Sequence, residues 1–103
     1  MRAKTKRGIN ANNIYRLRRI RGYAQKHLAT LLADSPKAIS KYETGVRNPT
    51  LETVALLEIV LGARLSEIYP KLYHVAQELA LTRLSKLPPE LGRNVRGRLL
   101  GKD

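Results

Sequence analysis

This sequence predicts an all-α fold: five short helices in a bundle, followed by a further amphipathic helix near the C-terminus. Three observations carry the prediction. Apolar residues recur at intervals of three and four along most of the chain, the spacing that builds one face of a helix. The core candidates are Leu, Ile, Val and Ala, with no Phe or Trp and with Tyr as the only aromatic. Such a core suits small packed helices better than a β-sandwich, which draws on larger β-formers. Capping residues then punctuate the periodic stretches where helices should start and stop. There is no strand pattern and no internal repeat.

The first helix begins at Asn13, with Ile14, Leu17 and Ile20 or Arg21 at helical spacing, and Gly22 closes it. The second starts near Gln25 and sets Leu28, Ala29 and Leu32 on one face. Ala33 and Asp34 make a short break. Ser35 as N-cap and Pro36 at the first helical position then open a third helix that runs to about Thr44, buries Ile39 and Tyr42, and ends at Gly45. Val46 to Pro49 form a loop. Thr50 caps a fourth helix with Leu51, Val54, Ala55, Leu57 and Leu61 expected inside, Glu52 and Glu58 outside, and Gly62 as its end. Leu65, Ile68 and Tyr69 fit a short fifth helix that stops at Pro70. Beyond it, Leu72, Val75 or Ala76, Leu79, Leu84 and Leu87 mark the amphipathic helix of residues 71–87, which Pro88 and Pro89 break. The remaining tail, with three glycines, holds either a short helix around Val95 and Leu99 or none. The expected organisation is a basic flexible arm at 1–12, a helical domain at 13–69, and a C-terminal helix and basic tail at 70–103.

Charge narrows the partner. Twenty Lys and Arg against eight Asp and Glu leave the 103-residue chain at +12, where small soluble domains usually carry ~2–8. A balance so basic points to a polyanion, nucleic acid first and an anionic membrane surface second. The basic residues sit beside a core pattern rather than along one amphipathic face, which disfavours the membrane. No apolar run approaches the ~18 residues needed to cross a bilayer, and no apolar stretch follows the basic N-terminus as in a signal peptide. With no Cys, disulfides and thiolate metal sites are excluded, as suits a cytoplasmic protein.

Two helices joined by a short break, the second polar on its outer face, form a helix-turn-helix pattern. The joint motif Gln-x-x-Leu-Ala from Gln25, then Ile-Ser-x-Tyr-Glu-x-Gly-x-x-x-Pro from Ile39 to Pro49, resembles the Cro and phage-repressor family, also called the xenobiotic-response-element type. The resemblance covers residues 13–69 and implies a lambda-repressor-like bundle whose recognition helix, about 36–44, enters the major groove of double-stranded DNA. Lys37, Ser40 and Lys41, with Ser35 and Pro36 at the leading edge, are the expected base or groove contacts. Gln25 at a helix start and Arg47 and Asn48 in the following loop are the expected phosphate contacts. The family also implies a partly buried ion pair between Arg18 and Glu43, with Arg19 and Arg21 as alternative partners for the carboxylate. Three positions depart from the pattern: Ala33 where Gly is usual, Asp34 where an apolar residue is usual, and Ala24 where a capping Ser or Asn is usual.

The implied function is a transcriptional regulator, a repressor that occupies an operator as a homodimer. The alternative is a protein-interaction module or antitoxin-like partner-binding protein in which DNA binding is secondary. The apolar stripe of the helix at 71–87 has three possible seats: the chain's own helix bundle, a second copy at a dimer interface, or a protein partner. Catalysis has little support: His27 and His74 stand far apart, with no Cys nucleophile, phosphate loop or metal spacing, so no catalytic residue, metal or cofactor is expected.

Overall fold

The computed structural model describes residues 8–99, and every regular element in that range is helical. A single 3-10 turn, Gly8–Asn10, leads into α1 (Ile14–Ile20), α2 (Gln25–Leu32), α3 (Pro36–Glu43), α4 (Leu51–Leu61), α5 (Leu65–Ile68), α6 (Pro70–Leu84) and α7 (Arg93–Leu99). The fold class and the five helices of the bundle agree with the sequence. Ile14, Leu28, Ile39, Leu57, Leu61 and Ile68 are wholly buried at its centre, with Leu32, Ala38, Tyr42 and Tyr69 around them. α1 to α5 therefore share one small aliphatic core, and α2 packs closely on α3.

The helix ends follow from local chemistry. The Ser35 hydroxyl accepts the Ala38 N–H at 3.1 Å and Thr50 accepts that of Thr53 at 3.2 Å, each satisfying an amide that the helix itself leaves free. α2 has no such cap, because Ala24 carries no acceptor; the His27 ring instead accepts the Ala24 N–H at 2.9 Å. Ala33 takes the left-handed conformation that the usual glycine would adopt freely, at φ 54°. Its Cβ makes that costly by ~1–2 kcal/mol, and the Asp34 N–H reaching back to the Ala29 carbonyl at 2.9 Å holds the turn in place. Gly62 ends α4 in the same conformation with the Arg21 guanidinium lying against it, so a Cβ there would collide.

Several expectations need correction. Residues 8–12 are not part of a free arm: Asn12 is buried, its amide donates to the Tyr42 carbonyl at 2.9 Å, and its side-chain oxygen accepts the Ile14 N–H at 3.0 Å. Residues 1–7 of the expected arm, and 100–103 of the tail, lie outside the described residues. Leu51 and Ala55 were expected inside α4 but face solvent, Leu51 at 87% exposure. Glu58, expected outside, is half-buried and accepts the Leu65 N–H at 2.7 Å, so it caps α5. Pro70 opens α6 instead of merely ending α5, as its fixed φ and missing N–H allow at a first helical position.

α6 and α7 form an appendage to the bundle. None of their residues is buried. Arg96 ties them together by donating to the Leu84 carbonyl and, at 3.1 Å, to that of Pro89. The radius of gyration is 16.2 Å, against about 13 Å for a compact chain of this length.

Tyr69, at the junction of α5 and α6, is 5% exposed, and its hydroxyl has no hydrogen-bond partner among the described residues. Burial, with a smaller contribution from Tyr42, pushes the phenol up to about 12. An unsatisfied buried hydroxyl costs about 1–3 kcal/mol. Tyr69→Phe is therefore expected to raise stability by roughly 1 kcal/mol, or about 4–8 °C in Tm. The sign with pH is also fixed. A phenol whose folded pKa is raised contributes stability below its unfolded value near 10 and loses it as pH rises through about 12. Thermal melts from neutral to alkaline pH check both: the Phe variant should melt higher throughout and decline less above pH ~10.

Candidate nucleic-acid interface

α3 divides cleanly into two faces. Ala38, Ile39, Tyr42 and Glu43 are buried, while Pro36, Lys37 and Lys41 are exposed and Ser40 half-exposed. Positions 37, 40 and 41 are separated by three and four residues and so share one side of the helix. Ser35 stands exposed at its leading end. The structure thus gathers five of the sequence-predicted residues on one polar, cationic ridge. A helix ~10–12 Å across with such a ridge has the dimensions of a B-DNA major groove.

Beneath the ridge, Glu43 anchors α3 to the rest of the bundle. Its carboxylate is completely buried and meets the Arg18 Nε at 2.5 Å on one oxygen and the Gln25 amide nitrogen at 3.0 Å on the other. Arg18 is itself 6% exposed at its side chain, donates a second bond to the Tyr23 carbonyl at 2.9 Å, and lies over the Tyr15 ring. One carboxylate therefore joins the end of α3 to α1 and to the start of α2. Among the three arginines available to it, Arg18 is the one that pairs. Arg19 donates to the Tyr15 hydroxyl at 2.8 Å, and Arg21 to the Leu61 carbonyl at 2.8 Å.

Gln25 has a structural task that spacing alone did not reveal. It is half-buried at the first position of α2, and its bond to Glu43 orients the amide while leaving a second N–H. A shallow surface hollow of about 400 Å³ lies beside it, lined by Arg18, Arg19, Gly22, Tyr23, Ala24 and Gln25. Arg19, exposed there in the last turn of α1, is named by the sequence only as an alternative partner for Glu43, not as a neighbour of Gln25. Arg47 and Asn48 are exposed in the loop after α3, and the Arg47 guanidinium sits over the Tyr42 ring at 5.4 Å from its centre.

The departure at Asp34 also acquires a cause. Its carboxylate accepts the Ser35 N–H at 2.9 Å and the Tyr42 hydroxyl at 3.1 Å, so the turn is tied directly to α3. The bond from the Ser35 amide, helped by Tyr42 and the positive charge of Arg47, holds the carboxyl below the usual carboxylate range against a smaller opposing effect of burial. A depressed carboxyl stabilises the fold above its unfolded pKa, and that contribution is lost as pH falls through the folded value.

No helix among the described residues is long and apolar enough to cross a membrane. No curated protein and no solved structure matches the chain. A family model described as helix-turn-helix matches residues 14–68, α1 through α5 and just over half of the sequence. On that match, and on the α2–turn–α3 geometry above, the chain belongs to the Cro and phage-repressor type of helix-turn-helix family, a family of DNA-binding regulators.

Proposed function

We propose that this protein is a sequence-specific repressor, working in the compartment that holds the DNA, and that two copies occupy paired half-sites of an operator and block access to it. The observation that carries the proposal is the exposed ridge of Lys37, Ser40 and Lys41 on a helix whose opposite face is locked by the buried Glu43. In the groove, Lys37 and Lys41 donate to guanine O6 and N7 or to flanking phosphates, and Ser40 serves base or backbone. Ser35 and Pro36 approach the groove edge. Gln25, with the N-terminal amides of α2, and Arg47 with Asn48 grip phosphate on either side and fix the register of α3. Arg19 adds a further cation beside Gln25.

The exposed Val75 and Leu79 of α6 favour a second reading, in which the appendage carries a protein partner and DNA binding is secondary. Selection from a random duplex library, sequenced at two salt concentrations, separates the two. A repressor of this kind is expected to enrich an inverted repeat with half-sites about one helical turn apart. Salt-sensitive binding with no enriched motif would show charge acting without sequence choice, and the partner-binding reading would replace this one.

A further inference from the structure

α4 has an apolar side that none of the described residues covers. Leu51 is 87% exposed and Ile59 75% exposed, and Ala55 between them is exposed as well. Spaced four apart, the three residues form one stripe along the helix. A lone exposed leucine needs no explanation, but a continuous stripe on the second-longest helix does.

Three features of its setting identify what covers it. The first is position: Leu51 follows directly on the loop of Arg47 to Thr50, so the stripe starts at the proposed phosphate-binding edge and runs away from it. The second is charge. In a chain of +12, α4 contains no Lys or Arg; its only charged residues are Glu52 and Glu58, and Glu52 is exposed. Like copies of a strongly basic chain repel one another least across such a helix. The third is size. A stable free dimer needs roughly 20–30 residues a side, and three side chains fall far short. A contact this small holds only when both members are already fixed near each other, as two copies on neighbouring half-sites are.

We infer that the Leu51, Ala55 and Ile59 stripe of α4 is the surface through which a second copy of this chain packs, and that it does so only on DNA. The inference rests on the paired-half-site reading above. The free protein is then a monomer whose partner is recruited by the operator, and occupancy rises steeply with protein concentration.

The test uses the full chain, the paired duplex enriched by the selection, and the same duplex with one half-site scrambled. Ile59→Gln and the double variant L51Q/I59Q remove the apolar contact without adding charge, and because both residues are exposed the variants should melt as the wild type does. Wild-type protein is expected to sediment as a monomer at micromolar concentration and to fill the paired duplex cooperatively. The variants should keep their affinity for the single half-site and lose roughly tenfold or more on the paired one. Unchanged cooperativity in both variants, or a free dimer that survives them, would overturn the inference while leaving operator binding intact, and would point to α6 and α7 instead. Enrichment of a single unpaired half-site would overturn the inference and the pairing but not sequence-specific binding. No enriched motif at all would overturn both.

Discussion

Glu43→Gln is expected to destabilise the protein by about 3–5 kcal/mol, the cost of leaving one member of a buried ion pair without its counter-charge. The carboxylate is fully buried and Arg18 nearly so. The guanidinium cannot be neutralised by losing a proton, since its pKa stays above ~12. It would keep its bond to the Tyr23 carbonyl and its place over the Tyr15 ring, with no counter-charge among the described residues. For a domain of this size such a loss is a large fraction of total stability and lowers Tm by at least about 12 °C. Replacing both partners, Arg18→Met with Glu43→Leu, should recover much of it, because the pair is strongly needed only while one half remains. Thermal melts of the wild type, Glu43→Gln and the double replacement decide the matter. A Glu43→Gln protein that melts within ~2 °C of wild type would remove the ion pair from its place as the anchor of α3. Well below its lowered Tm, the variant should still select the same bases, since Glu43 holds the recognition helix without reaching the groove.

Lys41→Ala should weaken binding to the preferred operator by about 1–3 kcal/mol and relax preference at one base pair of each half-site. Lys41 lies in the last turn of α3, exposed, and the backbone around it is fixed: its carbonyl accepts the N–H groups of Val46 at 3.0 Å and Arg47 at 3.2 Å. The side chain therefore leaves a rigid base, and losing it should not disturb the fold. Lys37→Ala provides the contrast. If Lys37 meets phosphate, binding should weaken by a similar factor on every sequence, with a shallower salt dependence by about one ion. Equilibrium titrations against a panel of single-base operator variants distinguish the two patterns. An unchanged preference at every base pair in Lys41→Ala would show that this lysine does not read sequence.

The sequence made the bundle legible because its helices carry their own boundary chemistry. Ser35 and Pro36, Thr50, Gly22, Gly45 and Gly62 each act within one turn of themselves, and all fall at or next to the observed ends. What stayed hidden is long-range. α4 is apolar on nearly every side, so periodicity cannot choose its inner face: the pattern predicts Leu51 and Ala55 inside, whereas only Leu57 and Leu61 are buried there. Glu58 reads as a surface carboxylate until the start of α5 is brought to it. Gln25 was legible as a polar residue at a helix start, but its bond to Glu43 spans 18 positions of sequence. Asn12, joined to Tyr42 across 30 positions, gave no local signal that it belongs to the folded unit. Asp34 looked like a flaw in the turn, and it is a tether.

Amide chemical-shift mapping of the isotope-labelled full chain, titrated with the selected duplex, tests most directly whether α3 is the surface that meets DNA. The largest shifts are expected from Ser35 to Lys41, at Gln25, and at Arg47 and Asn48, with α6 and α7 little changed. Shifts concentrated on α6 and α7, with α3 silent, would contradict recognition through the helix-turn-helix and assign the binding to the appendage.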